Sequence, residues 1–226
     1  LDIGSGTSIL PSYIFKKTNW DITCLDKFNW VKNQEKYIKK FSDNSSDLNR
    51  FKIIIEDINK SNLKPETYDI ITNISVVEHF EGQTDSEMMK KTFKLLKPGG
   101  SYILTTLINE NFFNEFYIKK NVYGEKYGGK PVFFQRHYDT DSFNKRLLRN
   151  INLEELERIF IGEYGFQFYE KFLNIPWPFK PIKLFYQWAN PYFARNFISY
   201  REYPVSRKDM HMYTSSCIFV HLKKPL

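Results

Sequence analysis

The sequence predicts an α/β fold: a doubly wound, mostly parallel sheet with helices on both faces. Three observations carry that expectation. Short apolar runs alternate with segments of helical spacing as far as residue 106, the pattern of successive βα units. Acidic residues stand where three of those runs end, at Asp2, Asp26 and Asp57. The first run passes straight into a loop with glycine at alternate positions, Gly4 and Gly6.

Taken in order, Leu1-Asp2-Ile3 is the end of a strand and Gly4-Ser5-Gly6-Thr7-Ser8 the loop after it. Glycine there admits backbone angles that a β-carbon forbids and lets a ligand approach the chain closely. Ile9 to Lys17 has helical spacing, so the loop sits at a helix N-terminus, where unpaired N–H groups can hold a carboxylate or phosphate. Alone, such a glycine pair is more often a structural turn than a cofactor loop. It is not the dinucleotide fingerprint G-x-G-x-x-G, because the last position is Ile9.

Asp21 to Leu25 reads as the second strand and ends at Asp26, twenty residues beyond Gly6. In a βαβ unit that position is the C-terminal edge of the neighbouring strand, where a carboxylate can accept both hydroxyls of a ribose. Val31 to Phe41 is helical by spacing, and Ser42 to Ser46 is a loop. Phe51 to Ile55 is a third strand, closing on Glu56-Asp57-Ile58; Asp57 can accept from a donor such as an adenine amino group. Tyr68 to Ser75 is a fourth strand, followed by Val76-Val77-Glu78-His79-Phe80. Asp85 is placed to cap a helix over 86–96, Lys97-Pro98-Gly99-Gly100 to stop it, and Ser101 to Thr106 to form a fifth strand.

Composition narrows the function classes. With 226 residues, the chain can form one domain with a sizeable core. It has no apolar run of about 18 residues and no charged-then-apolar leader, which makes the cytoplasm the expected location. Cys24 and Cys217 lie in apolar strand-like runs and read as core thiols. The histidines His79, His137, His211 and His221 show no ligand spacing with them, so no metal site is expected. The net charge is +7, of which +6 falls between Lys180 and the C-terminus. That stretch is a solvated basic face or a patch for an anionic partner.

As an ordered set, LDIGSGTS, Asp26, EDI at 56–58, YDIITNISVVEHF at 68–80 and LKPGGSYILTT at 96–106 resemble the successive motifs of class I S-adenosylmethionine-dependent methyltransferases. The resemblance is to the small-molecule type with a VxEHF-like segment. It implies a Rossmann-like sheet with an antiparallel C-terminal strand, and S-adenosylmethionine as the cofactor. Gly4, Ser5 and Gly6 would line its methionine portion, with Asp2 orienting the amino group through water. Asp26 would hold the ribose between Lys27 and Phe28, Asp57 and Ile58 would meet the adenine, and Asn73 would offer its backbone carbonyl to the methionine amine. Ser8 departs from the pattern, standing where many members have a third glycine. No Asn/Asp-Pro-Pro-aromatic segment follows the fourth strand, unlike the amino-methylating enzymes of adenine or glutamine. One further expectation is that the chain, opening at a strand end, lacks its N-terminal portion.

Beyond residue 106 the resemblance places a helix at Asp141 to Arg149 and strands at Leu153 to Ile161 and Met212 to Leu222. Periodicity alone allows Leu153 to Ile161 to be helical. Residues 109–139 and 163–211 exceed the minimal fold and are expected to govern the acceptor. Within the latter, Ile182 to Ser199 reads as an aromatic helix, a lid, an interface or, with Trp177, Trp188 and Phe197, a peripheral membrane element across 176–199. The expected partner is a small-molecule acceptor, possibilities being a saccharide or a lipid-linked intermediate. A non-catalytic cofactor-binding protein of the same fold and an RNA methyltransferase are the alternatives, nucleic acid ranking below the small molecule. A hydroxyl acceptor needs a base; His79 and His137 are the candidates, with Arg136 and Tyr138 to position substrate.

Overall fold

The computed structural model describes residues 1–42, 45–108, 113–121, 128–164, 178, 197–200 and 213–226. Its centre is an eight-stranded sheet. In chain order the strands of its parallel part are β1 (Asp2–Ile3), β2 (Ile22–Asp26), β3 (Phe51–Ile55), β4 (Tyr68–Ile74) and β5 (Leu96–Leu107). β8 (Glu154–Tyr164), β9 (Phe197–Tyr200) and β10 (Tyr213–Lys223) complete it, in the spatial order β3-β2-β1-β4-β5-β10-β8-β9. The first five pair in parallel, whereas β10 runs antiparallel to both β5 and β8. A separate hairpin pairs β6 (Asn114–Ile118) with β7 (Val132–His137).

The sheet is covered on both faces, and the residues of β2 show how. Its side chains alternate with period two. Ile22 and Cys24 pack with Phe15 of α1 (Leu10–Lys17) and Ile38 of α2 (Asn33–Phe41). Leu25 faces the other way, into a larger core with Ile3, Ile71, Leu104, Ile218 and the two methionines Met88 and Met89 of α3 (Thr84–Leu95). This is the doubly wound, mostly parallel Rossmann-like sheet with an antiparallel C-terminal strand. Parallel pairing aligns the C-terminal ends of β1, β2, β3 and β4 along one edge, which is where ligands of such sheets bind.

Several expectations shift in detail. Leu153 to Ile161 is a strand, β8, so pairing with β10 decides what periodicity left open. The helix expected at 141–149 starts at α4 (Thr140–Phe143), with a reciprocal capping box between Asp139 and Ser142, and continues as a π-helical stretch over Asn144–Leu148. Asp85 does not cap a helix from outside. It lies in the first turn of α3 behind Gln83, fully buried. Most of 182–199 lies outside the described residues, as do Trp177 and Trp188. Where the described chain resumes, Phe197 to Ser199 belong to strand β9 and not to a helix, hydrogen-bonded to the outer edge of β8. Cys24 and Cys217 are free thiols in β2 and β10.

Candidate functional site

A cleft of about 570 Å³ opens along the C-terminal edge of β1, β2, β3 and β4. The connection after β1 makes its floor. Gly4 and Gly6 have positive φ, +72° and +47°, and both line the cleft. A β-carbon on Gly4 would stand 2.4 Å from Cγ1 of Val76, so the loop closes against the turn after β4. Gly4→Ala is expected to cost about 2–4 kcal/mol, read by thermal or denaturant unfolding, because left-handed backbone and overpacking add.

Asp26 is the fixed anion of the cleft. Its Oδ2 accepts from the Gly6 amide at 3.0 Å and the Trp30 indole Nε1 at 3.3 Å, and its Oδ1 accepts from the Phe28 amide at 2.9 Å. Three donors therefore set the carboxylate plane. Of about four lone-pair sites one remains, on Oδ1, and the long Trp30 bond to Oδ2 is the one a second donor can replace, so a pair of vicinal hydroxyls can meet the two oxygens. Phe28 and Trp30 lie with ring centroids 4.3 Å apart, and the Lys27 ammonium sits 4.9 Å from the Phe28 ring centre. Asp57 lines the same cleft, with Oδ1 accepting from Asn59 N at 2.9 Å to cap the short helix that starts at Ile58.

Three expected site residues lie behind the lining. Asp2, Ser5 and Asn73 are buried and do not line the cleft. Ser5 Oγ donates to the Asp2 carbonyl at 2.9 Å and Thr72 Oγ1 donates to Asp2 Oδ1 at 2.6 Å, so these side chains brace the loop. Burial raises the Asp2 carboxyl above the ordinary carboxylate range. Asn73 Oδ1 accepts from Val77 N at 3.1 Å and ties the end of β4 to the following turn, whose Ser75 has φ +54°.

Of the acid–base candidates, only His79 reaches the cleft. Its Nδ1 lies 2.8 Å from the Phe134 carbonyl of β7, and since a carbonyl can only accept, Nδ1 carries the proton and Nε2 is the basic nitrogen. Burial lowers its pKa below the usual histidine value. Its neighbour Glu78 turns away, buried against Thr106 Oγ1 at 2.9 Å, where desolvation pushes its carboxyl up to about 7. His137 does not line the cleft. It lies 3.0 Å from Gln135 Nε2, its ring 4.6 Å from that of Phe116.

Arg136 and Tyr138 are not available to a substrate. Both are fully buried around Asp85, whose Oδ2 receives Arg136 Nη1 at 2.7 Å, the Tyr138 hydroxyl at 2.9 Å and Arg146 Nε at 2.8 Å. A charged and an aromatic residue beside a loop read as substrate contacts in sequence. Their partner lies more than fifty residues away, so spacing carries no trace of it. What the network does is hold β7 against the start of α3, placing Phe133 in the cleft wall and Phe134 beneath His79. Trp30 is one of several lining residues to which the sequence assigned no role. It lies within the 3₁₀ turn Asn29–Lys32, and its place four residues after Asp26 was the available signal.

Most of the acceptor-side insertion 163–211, and the basic residues Lys180, Lys183, Arg195, Arg201, Arg207 and Lys208, lie outside the described residues. Among the described residues, no three His, Cys, Asp or Glu side chains converge as a metal-binding set.

Comparison with known proteins agrees with this geometry. Residues 1–102 match a family model described as a methyltransferase domain. No curated protein sequence matches the chain significantly. Among solved structures it is similar to an S-adenosylmethionine-dependent methyltransferase from Methanosarcina mazei at 12% identity and a TM-score of 0.61, covering 100% of this chain and 91% of that one. It is also similar to the 1,6-didemethyltoxoflavin-N1-methyltransferase of Burkholderia thailandensis at 9% identity and 0.57, covering 100% and 70%. The cyclase SpnF is a further likeness, at 14% identity and 0.55, covering 100% and 74%. By its sheet order and these likenesses, the chain has the fold of the class I S-adenosylmethionine-dependent methyltransferase superfamily, with its first 102 residues matching the methyltransferase-domain model.

Proposed function

We propose that this chain transfers a methyl group from S-adenosylmethionine to a small-molecule acceptor. The observation that carries the reading is one cleft holding, side by side, the bare Gly4–Gly6 loop, the fixed carboxylate of Asp26 and the ring of His79. The residues present fit the cofactor. Asp26 would accept from the ribose hydroxyls, Lys27, Phe28 and Trp30 would flank the nucleoside, and Asp57 and Ile58 would meet the adenine. Gly4 and Gly6 would face the methionine portion, braced by Asp2 and Ser5, while Asn73 fixes the strand end whose carbonyl would meet the methionine amine.

When bound, S-adenosylmethionine supplies a methyl carbon on a sulfonium, the electrophile for in-line displacement by the acceptor. The protein's part is alignment, water exclusion and proton removal. Phe80 and Phe133 wall the acceptor end with apolar surface. His79, kept neutral by burial and oriented by the Phe134 carbonyl, takes the acceptor proton on Nε2. The hairpin β6–β7, within the longer segment 109–139, shapes that end of the cleft and so bears on acceptor choice.

The test is calorimetric titration with S-adenosylmethionine and S-adenosylhomocysteine, followed by a cofactor-consumption screen over hydroxyl and amine acceptors. Absence of cofactor binding overturns the reading. With a hydroxyl acceptor, His79→Gln is expected to lower kcat by about 10²–10⁴ while leaving cofactor affinity within a few-fold. The rate of the unaltered protein should fall as His79 gains a proton, and because its pKa is lowered, that acid limb lies below pH ~6.5. A limb absent from the variant identifies His79 as the base; an unchanged rate removes it from the mechanism.

A second reading is that the chain binds the cofactor without transferring its methyl group, since SpnF, named as a cyclase, shares the fold. Formation of a methylated product from any acceptor decides against it.

A further inference from the structure

We propose that the groove between α3 and the π-helical stretch after α4 binds a phosphate-type anion of a small soluble ligand. The groove, of about 890 Å³, is separate from the cofactor cleft and is walled by Ser86, Glu87 and Lys90 on one side and Lys145, Arg146 and Arg149 on the other. Helical spacing puts each trio on one face. Four cations thus confront one carboxylate.

Three of the cations are available. Lys90, Lys145 and Arg149 are exposed, and none is paired with a carboxylate among the described residues. Lys145 and Arg149 are moreover like charges four residues apart on one helical stretch, an arrangement that repels unless an anion sits between them. The fourth cation is preorganised. Arg146 places Nε and Nη2 each 2.8 Å from the two oxygens of buried Asp85, and stacks its guanidinium 5.6 Å from the Phe113 ring centre. With that edge of the planar fork held, Nη1 is the guanidinium nitrogen left to the groove. A fixed arginine with mobile lysines around it suits a multiply charged, tetrahedral oxyanion better than a single carboxylate.

The scale of the patch decides the kind of ligand. A nucleic acid track or a membrane face needs positive charge extended over many residues, whereas residues 1–179 together carry only +1. The four cations of this groove converge within one turn of each helical stretch, a span that fits a phosphorylated small molecule. Its position also matters. Glu81 and Thr84 line the cofactor cleft while Gln83 lines the groove, and the Gly82 carbonyl between them accepts from both Arg136 and Arg146. The anion is therefore held one turn of chain away from the reaction cleft.

The experiment is calorimetric titration of the full chain with inorganic pyrophosphate at constant ionic strength. Saturable binding is expected, at least about tenfold weaker in the Lys145→Ala/Arg149→Ala double variant, since losing charge-assisted contacts worth about 1.4 kcal/mol is a factor of ten. Both side chains are exposed, so thermal unfolding of the variant should match that of the unaltered chain. No saturable binding, or equal binding by the double variant, overturns the proposal. So does the finding that single-stranded RNA or phosphatidylserine vesicles bind more than tenfold tighter than pyrophosphate and depend on the same two residues.

Discussion

Replacing Asp26 with alanine is expected to weaken S-adenosylhomocysteine binding at least about 100-fold. Two hydroxyl donors to an ionised carboxylate contribute about 1.5–3 kcal/mol each, and every 1.4 kcal/mol is tenfold in affinity. The substitution also strips the acceptor from the amides of Gly6 and Phe28 and from the Trp30 indole, all of which the carboxylate now orders. Part of the loss is therefore loop disorder rather than missing ligand contact. Asp26→Asn divides the effects in part: its oxygen can keep the Gly6 and Trp30 donors, but its NH2 then faces the Phe28 amide, so one loop hydrogen bond and one acceptor oxygen are lost while the side-chain volume stays. An intermediate loss of about tenfold is expected for it. Calorimetric affinities, read beside circular dichroism to confirm folding, check both values. A folded alanine variant that binds within fivefold of the original would remove Asp26 from the ribose site.

The place of Asp26 in the cleft was legible in the sequence because it depends on local order. An acid at the end of an apolar run, a fixed distance beyond a glycine loop, is a pattern that survives projection onto one dimension. Parallel pairing then brings Gly4, Asp26 and Asp57 to one edge without further information. The same holds for His79, which follows the fourth strand directly. The misread residues depend on contacts that cross the fold. Arg136 meets Asp85 across 51 residues and Glu115 across the hairpin, and no periodicity marks either. Asp85 itself carries a helix-cap signature, but the fold takes it inward as the acceptor of two guanidinium groups, which outweighs a surface cap. Glu78 and His79 are adjacent in sequence and divided by the 3₁₀ turn over Val77–His79, one into the core and one into the cleft.

That buried network makes Asp85 a costly position to substitute. Asp85→Leu is expected to destabilise the chain by about 3–5 kcal/mol, the range for removing one partner of a buried pair. The reason is what stays behind. Arg136 remains fully buried, with Glu115 Oε1 at 3.2 Å as its remaining carboxylate, and the desolvated Tyr138 hydroxyl keeps only the long bond to the Val77 carbonyl at 3.4 Å. For a domain of this length, each kcal/mol lowers Tm by about 2–4 °C, so a fall of roughly 6–20 °C is the readout. Arg136→Met combined with Asp85→Leu should recover part of it, because a paired replacement by apolar residues leaves no orphaned charge. Recovery would show that the cost lies in the uncompensated guanidinium; a double variant no better than Asp85→Leu would place it in Tyr138 and Arg146 instead. Since the same carboxylate holds β7 over the cleft, the single variant should also lose acceptor affinity at temperatures where it is folded. The double variant, with the strand repacked but Arg146 released, should regain stability more fully than it regains acceptor affinity.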